Sequence, residues 1–284
     1  MKGACSVGNL LEGQVALITG ATKGMGEATA RLFADEGAVV IIGGRTVSKG
    51  EALAAEINAG SGTAHPHGAA RFYGALDVTD VSSNEFIVAK TLEEFGKIDI
   101  LAAFAGKTFD GENLDAKTSY DKTIDANMTG TYNTVFAVVP HMKERKSGKI
   151  IICSSNGAFN PTTPAYSYHM AKAGCESLTV NLAMELAPLG IRVNCIKPGP
   201  IKTSFWDELA AGDELDALLD GIAKHEVPMG RIGTAEDIAG PALFFASELS
   251  AYVTGLCMYV GGGIGQIYSH AQSYLLGKTP TGGV

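Results

Sequence analysis

The feature that most constrains this chain is a junction. Val15-Ala-Leu-Ile-Thr19 is a short β-branched run, and Gly20-Ala-Thr22-Lys23-Gly24-Met25-Gly26 follows it directly. Met25, Ala28, Thr29, Leu32 and Phe33 then recur at helical spacing until Gly37. A buried strand is thereby predicted to turn through glycines into an amphipathic helix. Glycine admits backbone angles closed to other residues and lets the main chain approach a ligand closely. The helix start that follows carries free N–H groups and the positive end of its dipole, which together hold an anion. A glycine triplet alone is equally compatible with an ordinary tight turn, but its place between strand and helix makes it a dinucleotide-binding fingerprint. Gly20, Thr22, Lys23, Gly24, Met25 and Gly26 are therefore expected to meet a pyrophosphate.

Six further short apolar runs, at residues 39–42, 72–78, 98–103, 150–152, 191–196 and 256–260, read as buried strands, with segments of helical period between them. Alternating strand and helix predicts an α/β fold, a doubly wound parallel seven-stranded sheet of Rossmann type with helices on both faces. Hydrophobic residues at 46% supply the apolar surface that such a sheet buries. With no repeat, linker or break in composition, residues 1–284 read as a single domain with 1–12 and 264–284 as terminal extensions. Residues 1–12, 60–69 and the tail after Gly261 are the expected flexible parts.

Asp and Glu number 30 against 22 Lys and Arg, and the net charge of −8 argues against nucleic-acid binding. No run reaches the roughly 18 apolar residues of a membrane span, and the first residues lack the apolar core of a secretion signal. The expected location is the cytoplasm, with no membrane partner. Cys5, Cys153, Cys175, Cys195 and Cys257 are odd in number and widely spaced, which reads as reduced thiols filling apolar positions. His65-Pro66-His67 lacks a third ligand at metal spacing, so no metal is expected.

The second strand should end beside the adenosine ribose, where a carboxylate favours NAD by accepting from a free 2′-hydroxyl. Here it ends Gly43-Gly44-Arg45. Arg45, with Lys23 from the glycine turn, suits a 2′-phosphate, so NADP(H) is expected over NAD(H) unless both are merely solvated charges.

Tyr168-His-Met-Ala-Lys172 places a phenol and an ammonium one helical turn apart on one face. The fixed cation favours the phenolate and should lower a pKa that is ordinarily about 10. Tyr168 could then protonate an alkoxide or, in reverse, deprotonate an alcohol. Ser155, at the end of the fifth strand, lies on the carboxyl edge where open α/β sheets bind ligands, and its hydroxyl can donate to a developing oxyanion. Side-chain alternation admits only one of Ser154 and Ser155 to that site, and Ser155 is taken. Tyr166 has Met170 rather than lysine four residues on and reads as a substrate-side wall or a packing aromatic. His169, about 100° around the helix, reads as a surface or packing residue.

Together these residues resemble the short-chain dehydrogenase/reductase family in its compact single-domain branch, from residue 11 to residue 263. Gly20, Gly24 and Gly26 resemble its cofactor turn, and Asp77-Val78 its adenine contact. Asn127, Ser155, Tyr168 and Lys172 resemble its catalytic tetrad, in which Asn127 is implied to hold a water linking Lys172 to solvent. Pro198, Gly199, Ile201 and Thr203 resemble the segment that holds the nicotinamide amide through the Ile201 backbone and the Thr203 side chain. The segments 231–238 and 254–263 are similar to its later pattern. Two departures stand out. The family's Asn-Asn-Ala-Gly is here Ala103-Phe104-Ala105-Gly106. Ala105 and Gly106 remain as implied cofactor contacts, while the missing asparagine's hydrogen bonds must be made otherwise and Phe104 is expected to fill core. Gly261 stands where an aspartate is common. The resemblance implies an enzyme acting on CH–OH or C=O with NADP(H), and a homo-oligomer, tetramer or dimer, built through the last strand and neighbouring helices.

The loops at 107–113, 156–166 and 203–225 are the expected substrate contacts. The last carries Phe205, Trp206, Leu209, Leu215, Leu218 and Leu219, which could cover an apolar substrate or pack on the domain. The tail at 268–276 could dock on a subunit, close the site or stay loose. The loops hold no basic cluster beyond Lys107 and Lys202, so a neutral, largely apolar ketone or secondary alcohol is expected. Two alternatives stay open. A 3-oxoacyl-thioester reductase would want a basic docking patch, and a non-catalytic NADP(H)-binding sensor or scaffold would normally show a broken tetrad.

Overall fold

The computed structural model describes residues 9–60, 69–110, 112–160, 164–203, 206 and 212–265. His65, His67, Phe205, Leu209, Cys5 and the tail at 268–276 lie outside the described residues. Seven parallel strands pair in the order β3-β2-β1-β4-β5-β6-β7. They are β1 (Val15–Thr19), β2 (Val39–Gly43), β3 (Ala69–Arg71), β4 (Ile100–Ala103), β5 (Gly148–Cys153), β6 (Ile191–Pro198) and β7 (Cys257–Val260). The helices between them are α1 (Gly24–Asp35), α2 (Val47–Asn58), α3 (Val81–Phe95), α4 (Ala116–Ile124), α5 (Gly130–Arg145), α6 (Tyr166–Leu186), α7 (Gly212–His225) and α8 (Glu236–Ala246).

The apolar runs behave as a doubly covered sheet demands, since alternate residues enter opposite cores. Ile18, Ile42, Ile100, Ile151 and Ile196 pack with Phe33 of α1 and Phe245 of α8. Leu17, Ile41, Leu101, Ile150 and Val193 pack with Ile87 of α3, Val135 of α5 and Leu182 of α6. Strand order reverses at β1, whose neighbours are β2 and β4. The crevice where ligands bind such sheets opens there, at the carboxyl ends of the strands.

One strand falls elsewhere than its sequence suggests. The run at 72–78 was expected to be the third strand, whereas β3 occupies Ala69–Arg71. Phe72 turns onto α2, where a Cβ on Gly50 would stand 2.3 Å from its ring, and Gly74 at φ +117 breaks the extension. The chain then returns to the sheet's edge, with Leu76 N–H donating to Gly44 O at 2.9 Å. Leu11 is fully buried and its N–H donates to Glu36 O, and Ile264 is buried against Gly199 and Gly261.

Candidate active site

Tyr168 lies in the first turn of α6, whose own N-cap, Ala165, has no side-chain acceptor. The missing cap arrives from 58 residues earlier, because an Asp110 carboxylate oxygen accepts the Tyr168 N–H at 3.0 Å. One turn on, Lys172 is 3% exposed. Its Nζ lies 5.6 Å from the Tyr168 ring centroid and donates to Cys153 O at the end of β5 at 2.9 Å. Ser155 hydrogen-bonds the phenol. Ser154 is buried behind it, its Oγ 2.9 Å from Glu176 Oε1, so strand alternation brings Ser155 and not Ser154 to Tyr168. Tyr166 is exposed and no packing aromatic, while His169 is half-buried, edge-on to Tyr168 and tight against Gly157.

The phenol's acidity departs from the expected lowering. Burial pushes Tyr168 up, against the pull of the Lys172 cation and the Ser155 hydrogen bond, and the net direction is upward. For Lys172, burial works against the charge, but Tyr168 and the thiols of Cys153, Cys175 and Cys195 favour it more strongly, and it sits above the ordinary range. Burial therefore opposes the phenolate that the Lys172 cation and the Ser155 hydrogen bond favour.

Between α4 and α5 the chain makes a π turn at Asp125–Thr129, a geometry that often marks functional sites. It carries Asn127, fully buried, whose Nδ2 donates to Thr123 O and Lys107 O. Asn127 Oδ1 is a buried acceptor without a protein partner. It faces Gly106 and Lys172, since a Cβ on Gly106 would stand 2.5 Å from Oδ1 and 3.2 Å from Lys172 Nζ.

The glycine turn is built by close approach. Gly20, at φ +68, leaves only 3.0 Å between a would-be Cβ and the Ala105 backbone, and a Cβ on Gly26 would meet Gly20 O at 2.3 Å. Gly24, at φ +56, lies against Thr203, which brings the segment after β6 across from the turn. Met25 packs into the core, so its side chain is structural. Thr22 abuts Gly44 and Ala21 N–H donates to Gly43 O, which joins the turn to the end of β2 and sets the exposed Lys23 and Arg45 on adjoining segments. Asp77 follows beside Gly44, and its carboxylate accepts Thr79 N–H, while Val78 packs on Gly130. Phe104 is core, and Thr19 Oγ1 accepts both the Phe104 and Ala105 N–H groups at 3.1 Å, which ties the end of β1 to the loop after β4. Gly261 also has its reason, since a Cβ there would stand 2.9 Å from Gly199 Cα. The order strand, glycine turn and helix, with cations beside β2 and a buried acceptor by Lys172, fits a nicotinamide dinucleotide.

The family model described as enoyl-(acyl carrier protein) reductase matches residues 20–265. The chain is 36% identical to the 3-oxoacyl-[acyl-carrier-protein] reductase of Thermotoga maritima, over 89% of this chain and 98% of that one. The chain belongs to the short-chain dehydrogenase/reductase family. It is 38% identical to the L-rhamnose 1-dehydrogenase (NAD(P)(+)) of Azotobacter vinelandii, over 90% of this chain and 98% of that one. The crystal structure of levodione reductase superimposes with a TM-score of 0.78 at 30% identity, covering 89% of this chain and 97% of that one. A short-chain dehydrogenase/reductase is an oxidoreductase of CH–OH and C=O groups that works with a nicotinamide cofactor. Among the described residues no helix is long and apolar enough to cross a membrane, and no cluster of His, Cys, Asp and Glu could hold a metal.

Sequence reading missed Asp110, Trp206's bond from Nε1 to Ile201 O at 2.7 Å, and the buried pair of Glu176 and Lys197. Asp110 gives no capping signal in sequence because it is remote from the helix it caps. Glu176 four residues past Lys172 was legible as the same helix face, but not its partner on β6.

Proposed function

We propose that the protein is an NADP(H)-dependent oxidoreductase that interconverts a neutral, largely apolar ketone and its secondary alcohol. The observation that carries this reading is the juxtaposition of Ser155, Tyr168, Lys172 and Asn127 Oδ1 at the carboxyl edge of the sheet, facing the glycine turn. The cofactor supplies a hydride to the carbonyl carbon and takes it back in the reverse direction. Gly20, Thr22, Lys23, Gly24, Met25 and Gly26 would hold its pyrophosphate, Asp77 and Val78 its adenine, and Pro198, Gly199, Ile201 and Thr203 its amide end, with Ala105 and Gly106 as further cofactor contacts. Arg45 and Lys23 would pair with the 2′-phosphate. Ser155 donates to the substrate oxygen, and Tyr168 gives that oxygen its proton. Lys172 steadies the phenolate that remains, and Asn127 Oδ1 orders a water through which the proton is replaced.

The substrate class follows from charge. Lys107 pairs with Glu112 at 3.0 Å and Lys202 with Asp216 at 2.9 Å, so these two cations are already matched, which supports a neutral substrate. The 3-oxoacyl-thioester alternative draws support from the Thermotoga relative, but lacks a basic patch here. The intact tetrad weighs against a silent sensor. Tyr132 and Phe136, stacked and partly exposed on α5, with Met184 on α6, support a homo-oligomer, tetramer or dimer. The reading retains a single catalytic domain in the cytoplasm.

The test follows nicotinamide absorbance with NADPH and NADH over a panel of ketones. Tyr168→Phe should lower kcat by about 10²- to 10⁴-fold while NADPH binding persists. Arg45→Ala should shrink the preference for NADPH over NADH by about 10- to 100-fold. Undiminished turnover in Tyr168→Phe would remove Tyr168 as the acid, and NADPH binding with no turnover on any substrate would favour the sensor.

A further inference from the structure

Behind Ser155 lies an ion pair that the catalytic reading leaves unused. Glu176 on α6 is 7% exposed and Lys197, next to Pro198 on β6, is 4% exposed. Lys197 Nζ donates to Glu176 Oε2 at 2.8 Å, and Glu176 Oε1 also meets Ser154 Oγ. Burying two charges costs desolvation that the pairing only roughly offsets, so stability alone does not account for it.

The ammonium has two more neighbours. It lies 4.2 Å from the ring centroid of Tyr259 on β7 and 5.1 Å from that of Phe159, both within cation–π reach. Phe159 follows the short turn Asn156–Ala158 that Ser155 opens, and it is 64% exposed. The next residue, Asn160, donates through Nδ2 to the Tyr259 hydroxyl at 2.9 Å, and a Cβ on Gly265 would stand 3.0 Å from that same nitrogen. An exposed phenylalanine on a loop is ordinarily free to change rotamer. This one rests on a buried cation, and its chain neighbour is bonded to the last strand.

We infer that Lys197 is a specificity-determining positioning residue, which with Glu176 and Tyr259 clamps Phe159 and Asn160 to the sheet and makes Phe159 a fixed apolar wall beside Ser155. The inference rests on the proposed ketone and alcohol reading and deepens it. Lys197 acts through Phe159, and because Glu176 already matches its charge, it is not a docking point for an anionic substrate. A fixed aromatic wall discriminates by substrate bulk. In a hydrophobic pocket a methylene is worth about 10- to 200-fold, so releasing the wall should move selectivity by a measurable factor.

The decisive variant is the neutral double substitution Lys197→Met with Glu176→Gln, which keeps the stem of one side chain and Ser154's partner on the other without leaving a lone buried charge. It is compared with wild type and Phe159→Ala, each saturated with NADPH, over ketones of graded bulk. The double variant should change the ratio of kcat/KM between bulky and small ketones about tenfold, mainly through KM. Phe159→Ala should produce the same change, and combining all three substitutions should add nothing further. Hydrogen exchange at the Ala158 and Asn160 amides, bonded to Ser155 O and Asn156 O, should speed up in the double variant. An unchanged selectivity ratio and unchanged exchange, at wild-type melting temperature, would overturn the clamp, as would a Phe159→Ala effect that adds fully to the double. If wild type turns over no ketone, the ketone reading fails by itself and exchange alone decides the clamp. Should the double variant not fold, Tyr259→Leu, which removes both ring and hydroxyl, is read in the same way.

Discussion

A methyl group at Gly106 would stand 2.5 Å from Asn127 Oδ1 and 3.2 Å from Lys172 Nζ, so this backbone position sets the spacing between the buried acceptor and the buried ammonium. Its φ lies outside the left-handed region, and alanine is therefore admissible to the backbone. Gly106→Ala should fold with a melting temperature close to wild type and lose about 100-fold in kcat/KM, since displacing a catalytic group by about an ångström costs that much. Steady-state kinetics beside thermal denaturation checks this, and an active variant would mean that the Asn127 to Lys172 spacing does not matter to turnover. Residue type and spacing single out candidates in the sequence wherever identity alone restricts the chemistry. Tyr168, Lys172 and Ser155 were legible from residue type and spacing. The direction of the phenol's shift was not, because the burial that raises it depends on what packs around Tyr168.

At the scale of elements, α6 begins where a distant loop lets it begin. The loop after β4 is fastened on several sides: Asn127 takes Lys107 O, Thr123 Oγ1 accepts the Phe109 N–H at 3.0 Å, and Ser119 Oγ donates to Phe109 O at 2.9 Å. Asp110 is thereby presented to the first turn of α6, where a carboxylate satisfies a free N–H and complements the helix dipole. Asp110→Ala should cost about 1 kcal/mol of stability and reduce kcat more than it raises KM, while Asp110→Asn, which keeps an acceptor, should recover most of both. Equal kcat for the Ala and Asn variants would show that the cap does not position Tyr168. Helix caps at Asp80 and Asp115 lie next to the helices they start and are visible as local signals. This one is 58 residues away, which is why the sequence hides it.

Across the whole molecule, the amino edge of the sheet is held by a different carboxylate. Asp99 accepts the Val15 N–H at 2.9 Å, Lys97 at 3.0 Å and Arg145 at 2.9 Å, joining β1, β4 and α5 at the edge opposite the site. Burial pushes Asp99 up, but these bonds outweigh it and hold the carboxyl below its ordinary 3.8. A depressed folded-state pKa stabilises the fold above the unfolded value, and that contribution fades as pH falls through the folded one. Asp99→Ala should therefore lower stability by about 2 kcal/mol at neutral pH, with the difference from wild type narrowing below about pH 4, as urea titrations at the two pH values would show. The sequence by itself determined the parallel sheet, the glycine turn and the spacing of tyrosine and lysine, because these rest on local periodicity and residue chemistry along one stretch of chain. Tertiary structure alone decided that β3 ends at Arg71, that Asp110 caps α6, and that Lys197 finds Glu176. Each of those outcomes depends on segments far apart in the chain competing for the same space, and no local pattern records which of them wins.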